Sequence, residues 1–222
     1  MELFAQLIKP GDHVVEVGGH IGFITAFFSY CVCPKGKVTV FEPGSNNLGY
    51  NSKNIMHPSL EEFGPIFLIE AAVGPESGEI TFYEDGITGQ NNSVIPNFSG
   101  LESNAKMAFV EVCLRERKVE MVALDSKLMG QPISFVKIDV EGFEMGVLSG
   151  MKQILIEHQP IVMVEIQADH VKIFNLFQAL DYSLFSEFRI PVLDPLSMNH
   201  NNFALHGEKH SVQIQSIFEV GT

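Results

Sequence analysis

The stretch from Val14 to Gly22 carries the residues that most strongly suggest chemistry. Its sequence, Val-Val-Glu-Val-Gly-Gly-His-Ile-Gly, runs from β-branched residues into glycines, which is typical of a strand that turns sharply into a helix. Such a turn lets a ligand approach the backbone closely and offers it the free N–H groups of a helix N-terminus. We interpret the stretch as a cofactor-binding turn, although a structural turn with a capping glutamate would give the same pattern.

Two positions in this stretch indicate the kind of cofactor. A dinucleotide-binding turn, G-x-G-x-x-G, requires glycine at position 17, which is Val17, and this argues against NAD. Glu16 would lie poorly beside a pyrophosphate but well beside a cationic ligand with an amino group and a sulfonium, such as S-adenosylmethionine (SAM). The spacing acid-x-Gly-x-x-x-Gly is common to SAM sites. The residues predicted to bind SAM here are Glu16, Gly18, Gly19, His20 and Gly22.

Two later segments would complete a site for an adenosine. Glu42 and Pro43 follow a second apolar run, and a carboxylate at that position can accept hydrogen bonds from both ribose hydroxyls. Ala71 and Ala72 follow a third run, where small side chains leave room for a flat adenine ring. Packing against a helix would explain the two alanines equally well. We predict that these four residues also bind the cofactor.

A group of carboxylates near the end of a fourth strand could carry the reaction. Asp139 ends the apolar run from Ile133 to Ile138, Glu141 follows it, and Glu165 ends the next run. The crevice beyond the carboxyl ends of parallel strands is where open α/β sheets bind ligands. We predict Asp139, Glu141 and Glu165 as catalytic residues, with Asp139 as the leading general base and also in contact with the cofactor.

Other assignments for these groups stay open. The same three carboxylates could instead hold a divalent cation, although their spacing is not diagnostic and no metal site is predicted. His20, His170 and His206 are alternative bases, but a lone histidine is more often a cap or a surface residue.

Apolar runs and helical segments alternate along the chain, which predicts an α/β fold with a mostly parallel sheet and helices on both faces. The predicted strands are Val14–Val17, Lys37–Phe41, Ile66–Val73, Val119–Leu124, Ile133–Ile138 and Ile161–Ile166. The predicted helices are Ile21–Tyr30, Asn46–Ile55, Phe143–Ile156 and Val171–Leu180.

Two regions break this alternation within what we predict to be a single domain, residues 1–222. Residues 85–118 form a predicted β-rich insertion with a polar tip around Ile87–Ser103, which could be a binding loop or a plain surface loop. Residues after Ser183 are predicted to add antiparallel edge strands.

The composition limits the partners of the protein. The formal net charge is −13 and there is no basic patch, so nucleic acid is disfavoured as a substrate. The sequence has no apolar run of the ~18 residues that a membrane helix needs, and no signal peptide is evident. Three cysteines are too few for a disulfide framework, which favours a cytoplasmic location.

Several segments, taken in order, resemble the FkbM-type SAM-dependent methyltransferases. They are VVEVGGHIGFIT, VTVFEPGSNNLGYNSKNI, EAAVGPESGEITFYE, VALDSKL, FVKIDVEGFEMGVLSGMKQIL and IVMVEI. The resemblance implies a class I (Rossmann-like) methyltransferase fold with a seven-stranded, mostly parallel sheet and an antiparallel edge strand. It also implies SAM as methyl donor and O-methylation of natural products or sugars. One departure is Gly19-His20, where the family commonly has Ala-Asn.

We therefore expect an O-methyltransferase that acts on a small molecule or glycan. A non-catalytic SAM- or nucleotide-binding domain is the main alternative because a fold does not guarantee activity. An NAD-dependent oxidoreductase is less favoured because of Val17. Nucleobase amino-methylation is disfavoured because Asp139-Val140-Glu141-Gly142 stands where such enzymes usually carry Asn/Asp-Pro-Pro-aromatic. No membrane partner is expected, and the oligomeric state is not indicated.

Overall fold

The computed structural model describes residues 1–86, 89, 91–96 and 114–218. The strands are β1 (His13–Val17), β2 (Lys37–Phe41), β3 (Ile66–Ile69), β4 (Ala72–Val73), β5 (Gly78–Asp85), β6 (Leu114–Val122), β7 (Phe135–Ile138), β8 (Ile161–Glu165), β9 (Tyr182–Ser186), β10 (Pro191–Val192) and β11 (Asn201–His206).

The α-helices lie mostly between the strands. They are α1 (Glu2–Leu7), α2 (Phe23–Val32), α3 (Ser45–Ile55), α4 (Leu124–Lys127), α5 (Glu144–Ser149), α6 (Lys152–Glu157), α7 (His170–Ala179) and α8 (Ser211–Gln213). Short 3-10 helices cover Pro58–Leu60 and Pro195–Ser197, and a π-helical turn covers Ile214–Phe218. In the described part of the chain, no helix is long and apolar enough to cross a membrane.

The main sheet has the order β10-β9-β11-β8-β7-β1-β2-β3 in the described residues. β3, β2, β1, β7 and β8 are parallel neighbours, so their carboxyl ends meet at one edge. β11 runs antiparallel to both β8 and β9. The predicted antiparallel edge strand is the two-residue β10, and β11 is a second reversed strand inside the sheet, so eight strands replace the seven expected.

Side chains of each central strand point alternately to the two faces of the main sheet, and each face packs against its own layer of helices. Val14 and Phe135 face α1 and α2, whereas Val15 and Val136 face α5, α6 and α7. Successive side chains of a strand point to opposite faces, so a strand that is buried on both sides reads as a continuous apolar run. This is why the sequence shows such runs for β1, β7 and β8.

Two predicted elements are each divided in the structure. The predicted strand Ile66–Val73 splits because Ala71 N–H bonds to Ile69 O, after which β4 pairs with β6 instead of β2. The predicted helix Phe143–Ile156 splits at Gly150, where any Cβ would lie 1.9 Å from Gly74 O.

The second sheet, β4-β6-β5, contains the strands that flank the predicted insertion. β5 and β6 pair antiparallel from Gly78↔Met121 to Asp85↔Leu114, and Ser93 forms a bridge with Tyr83. Of the predicted polar tip, residues 87, 88, 90 and 97–103 lie outside the described residues. Residues 104–113 of the predicted insertion also lie outside them.

Candidate active site

A cavity of ≈ 330 Å³ opens at the edge where the parallel strands end. Ligand pockets commonly have about 300–1,000 Å³, so this one can admit a cofactor-sized molecule. The lining residues come from the carboxyl ends of the parallel strands β1, β2, β3, β7 and β8, from β4, β5 and α3, and from the insertion. They are Val17, Gly18, His20, Phe41, Glu42, Pro43, Asn47, Ala71, Ala72, Val73, Phe82, Gly89, Asn92, Val94, Asp139, Val140, Glu141, Phe143 and Glu165.

Gly18 forms the floor of the cavity where β1, β2 and β7 meet. Its N–H donates to Phe41 O at 3.0 Å, and its φ of +87° lies in the left-handed region. A Cβ at this position would lie 1.9 Å from the backbone oxygen of Asp139. Only glycine therefore lets the turn after β1 pass so close to the end of β7.

Glu42 is a buried carboxylate that is held by the turn after β1. Its Oε2 accepts the backbone N–H of His20 at 2.7 Å, and its Oε1 accepts that of Gly44 at 2.8 Å. Asn47 Nδ2 donates to the same Oε1 at 3.3 Å. Burial raises the pKa of Glu42 to about 7, although these hydrogen bonds oppose the shift. These contacts fix the carboxylate at the rim of the cavity.

Asn51 fixes the other side of the same turn. From α3, its Nδ2 donates to the backbone oxygens of Gly19 at 3.2 Å and of His20 at 3.0 Å. The backbone of His20 is therefore bonded on both sides, to Glu42 and to Asn51, and it has a left-handed φ of +46°.

A buried lysine joins β1 to β7 beneath the cavity. Lys137 Nζ lies 3.0 Å from Asp139 Oδ2 and 3.8 Å from Glu16 Oε1. Thr25 Oγ1 donates to Glu16 Oε2 at 2.5 Å. Burial raises the pKa of Glu16 to about 7, against the opposing effects of Lys137 and Thr25. Glu16 is 1% exposed and faces this cluster, so it does not line the cavity.

The three carboxylates predicted to be catalytic come together on one side of the cavity. One carboxylate oxygen from each of Asp139, Glu141 and Glu165 lies within 4.8 Å of the others. Their arrangement could hold a metal ion, but Lys137 and Gln167 already bond to members of the group. Gln167 Nε2 donates to Glu141 Oε2 at 2.7 Å, and His200 Nε2 lies 2.7 Å from Glu165 Oε1.

Glu141 differs electrostatically from its neighbours. It lies in the loop after β7 with a φ of +53°, and its backbone oxygen accepts Ser93 Oγ at 2.8 Å. Burial raises the pKa of Glu141 to about 7, although the hydrogen bond from Gln167 opposes the shift. A carboxyl group with a pKa near 7 is suited to exchange protons at neutral pH.

The described part of the insertion forms one wall of the cavity and is bonded to the first turn of α3. Asn92 Nδ2 donates to Asn46 Oδ1 at 2.8 Å, and Asn47 Nδ2 donates to Gly89 O at 3.0 Å. Ser45 N–H and Oγ both donate to Glu84 at the end of β5. Consecutive residues of α3 thus connect the Glu42 side of the cavity to the insertion.

Most predicted site residues lie together, and some do not. Those that line the cavity are Gly18, His20, Glu42, Pro43, Ala71, Ala72, Asp139, Glu141 and Glu165. Glu16, Gly19 and Gly22 shape the turn from outside the cavity. The alternative bases His170 and His206 do not line it, and His206 ends β11 at the opposite edge of the sheet.

Sequence reasoning missed Lys137, Asn47, Thr25 and Gln167. Lys137 lies on β7 and Asp139 follows the strand two positions later, a spacing that favours side chains on the same side, and this spacing was a usable signal. The contacts of Asn47, Thr25 and Gln167 join elements that are far apart in sequence, and no local pattern predicts them.

Comparisons with known proteins agree with this geometry. A model of the methyltransferase FkbM domain family matches residues 16–188, which is more than half of the chain. This match confirms the predicted family and SAM as the cofactor of its members. No curated protein matches the chain.

Solved structures show the same fold at low sequence identity. The methyltransferase FkbM from Methylobacillus flagellatus KT has a TM-score of 0.57 and 15% identity, and the match covers 91% of this chain and 50% of that one. The chain thus spans about half the length of that relative. Fibrillarin from Aeropyrum pernix, which has natively bound SAM, has a TM-score of 0.50 and 11% identity, with 90% and 68% covered. A candidate rRNA methylase from Clostridium thermocellum has a TM-score of 0.50 and 14% identity, with 91% and 89% covered.

Proposed function

The chain belongs to the FkbM methyltransferase family, and from that premise we propose that it methylates a hydroxyl oxygen of a small molecule or glycan. The observation that carries the proposal is the group of three carboxylates, Asp139, Glu141 and Glu165, on the wall of the cavity that Gly18 and Glu42 also line. A hydroxyl acceptor gains reactivity by losing its proton, and these carboxylates are positioned to take it.

The cavity fits the nucleoside part of SAM. Glu42 presents a buried carboxylate to the cavity, and an ionised carboxylate can accept hydrogen bonds from two ribose hydroxyls. Gly18, Ala71 and Ala72 leave space along the floor because none has a side chain beyond Cβ. The assignment of these residues to the cofactor is part of the proposal.

The proposed chemistry requires the chain to place two reactants and accept one proton. When bound, SAM supplies an electrophilic methyl carbon on a positively charged sulfur. Glu141 would take up the proton that the acceptor hydroxyl loses when its oxygen receives the methyl group. The cavity walls hold the acceptor in line, which lowers the entropic part of the barrier.

Glu141, rather than Asp139, is the proposed proton acceptor. Lys137 Nζ lies 3.0 Å from Asp139 Oδ2, so the Asp139 carboxylate is already engaged by a charged partner. Glu141 accepts a neutral amide N–H instead, and burial raises its pKa to about 7. In the proposed roles, Glu141 is the base, Asp139 is paired with Lys137 beside the reacting centre, and Glu165 contacts the acceptor.

The charge of the cavity supports a small acceptor rather than nucleic acid. Four lining residues are carboxylic acids, namely Glu42, Asp139, Glu141 and Glu165, and the described lining contains no lysine or arginine. Such a wall repels a phosphate backbone, which basic residues normally contact. We also propose that the chain is a single domain and acts in the cytoplasm.

A screen with labelled SAM tests this function. The chain is incubated with polyhydroxylated small molecules, glycans, amines and RNA, and methylated products are identified by mass spectrometry. We expect methyl ethers from hydroxyl acceptors, and we expect turnover to continue in EDTA. Transfer only to amines or to RNA would contradict the proposal, and loss of turnover in EDTA would assign a metal to the carboxylate group.

A further inference from the structure

The cavity is rich in hydrogen-bond acceptors and poor in free donors. Its described lining has side-chain N–H groups on His20, Asn47 and Asn92 only. Asn47 Nδ2 already donates to Glu42 and Gly89, and Asn92 Nδ2 donates to Asn46. Nε2 of His20 is buried and has no hydrogen-bond partner among the described residues. A buried polar atom without a partner is costly, so it indicates a place where a ligand completes the site.

The backbone fixes where the His20 ring lies. Its N–H is bonded to Glu42 and its carbonyl oxygen to Asn51, so the residue cannot rotate freely about the turn. Its φ of +46° lies in the left-handed region, which directs a side chain differently from ordinary extended backbone. His20 thus lines the cavity from a backbone that is fixed on both sides.

The order of the strands shows which part of the cofactor faces His20. Ala71 and Ala72 follow β3, Glu42 follows β2, His20 follows β1 and Asp139 follows β7, and these strands are neighbours in that order. A nucleoside with its base at β3 and its ribose at Glu42 extends its 5′ substituent towards β1 and β7. This placement rests on the cofactor site proposed above.

The 5′ substituent of SAM carries a sulfonium, an ammonium and a carboxylate. The two cationic groups are attracted by Asp139 and the other carboxylates of the wall, whereas the cofactor carboxylate meets only like charges there. It needs a donor, and residues 21–23 at the start of α2 do not line the cavity.

We propose that His20 Nε2–H donates a hydrogen bond to the carboxylate of the cofactor's amino-acid arm, which makes His20 the residue that selects for this arm. Burial lowers the pKa of His20, so the ring is neutral at neutral pH and its tautomer with hydrogen on Nε2 is the donor.

Calorimetric titration with two ligands tests the proposal without any acceptor. S-Adenosylhomocysteine has the amino-acid arm, and 5′-methylthioadenosine has the same nucleoside and sulfur without it. In His20→Ala, we expect the dissociation constant for S-adenosylhomocysteine to rise about ten- to a hundredfold, as for a lost hydrogen bond to a charged group. The constant for 5′-methylthioadenosine should stay unchanged.

Matched variants separate the possible outcomes. His20→Asn keeps a donor and suits the left-handed backbone, so it should recover part of the affinity. His20→Gly replaces His20→Ala if the alanine variant does not fold, because glycine adopts this φ without strain. Glu42→Gln should weaken both ligands. If His20→Ala loses affinity for both ligands equally, or for neither ligand, the proposal for His20 is overturned, and methyl transfer is still tested by the acceptor screen. If the wild-type protein binds neither ligand, the proposed cofactor site itself is overturned.

Discussion

Lys137 Nζ lies 3.0 Å from Asp139 Oδ2, which joins a side chain of β7 to the residue that follows this strand. Burial by itself lowers the pKa of Lys137, but Asp139 and Glu16 outweigh it, and the net effect raises this pKa. The amine therefore stays charged inside the protein, where an unpaired charge would be strongly destabilising. Asp139 is thus paired with a charged amine, and we propose that the neighbouring Glu141 accepts the proton.

We expect Glu141→Gln to lower turnover about 10²–10⁴-fold, the usual cost of losing a general base. Burial raises the pKa of Glu141 to about 7, so wild-type turnover should increase as the pH rises through about 7. The pH–rate profile with the acceptor found in the screen measures this. Asp139→Asn should lower turnover yet keep the rise near pH 7. If the rise persists in Glu141→Gln and disappears in Asp139→Asn, the two roles are reversed.

Glu42→Gln should weaken SAM binding by about 1.5–3 kcal/mol, as expected for hydrogen bonds to a charged group. Ribose hydroxyls donate best to the ionised carboxylate, and burial raises the pKa of Glu42 to about 7. Wild-type affinity should therefore increase between pH 6 and pH 8, about one unit either side of that pKa, and the variant should lose this dependence. Calorimetry at several pH values measures both effects. The control is Glu70→Gln, because the Glu70 side chain is 61% exposed at the end of β3. If this control variant loses as much affinity for SAM as Glu42→Gln does, Glu42 is not the ribose-binding residue.

The stability of Glu16→Gln, compared with that of the wild type, should increase as the pH rises. Burial raises the folded-state pKa of Glu16 from 4.5 to about 7. The stability contributed by its protonated form is complete below the unfolded pKa of 4.5 and is lost as the pH rises through about 7. Glutamine does not titrate, so the free energy of unfolding of the variant minus that of wild type should increase by about 1–3 kcal/mol between these limits.

Urea unfolding at a series of pH values measures this difference. Burial lowers the pKa values of His13 and His210 to about 4, so these residues also make stability depend on pH. They do so equally in wild type and in Glu16→Gln, and subtracting one free energy of unfolding from the other removes their effect. The exposed Glu79→Gln is a suitable control. A difference that does not change with pH would show that Glu16 titrates normally in the folded chain.

Asn92→Ala should affect the acceptor more than the cofactor. Asn92 Oδ1 accepts the N–H of Asp85 at 2.8 Å, and its amide nitrogen donates to Asn46, so this side chain holds the insertion wall against α3. Without it, we expect the KM for the acceptor to rise about tenfold, the effect of roughly one hydrogen bond, while the dissociation constant for SAM is unchanged. Equal changes in both constants would argue against a role in acceptor binding.

The sequence predicted the parallel half of the fold well because both faces of those strands are buried. β1, β2, β7 and β8 read as continuous apolar runs, and their order placed Glu42, Asp139 and Glu165 at one edge. The divisions at Ala71 and Gly150 were not predictable, since they depend on contacts with β6 and Gly74 that are distant in sequence. A helical pattern continues through Gly150 whether or not another backbone lies against it.

The role of Glu16 shows a second limit of sequence reasoning. Its position in β1 suggested contact with the cofactor, but strand alternation does not reveal which polar partners lie on the same face. The parallel register pairs Glu16 with Lys137, and Thr25 on α2 bonds to the remaining oxygen. These partners enclose the Glu16 carboxylate beneath the turn, whereas Glu42, which follows β2, lines the cavity.

The carboxylates of the cavity have a consequence for how a catalytic cycle would end. In the proposed site, Glu42, Asp139, Glu141 and Glu165 would attract the positively charged sulfonium of the cofactor more strongly than the neutral thioether of the spent cofactor. Departure of the spent cofactor would thus be coupled to the reaction itself. We expect this wall to limit product inhibition, and the advantage of fresh over spent cofactor should shrink in high salt, where charges at the open mouth of the cavity are screened.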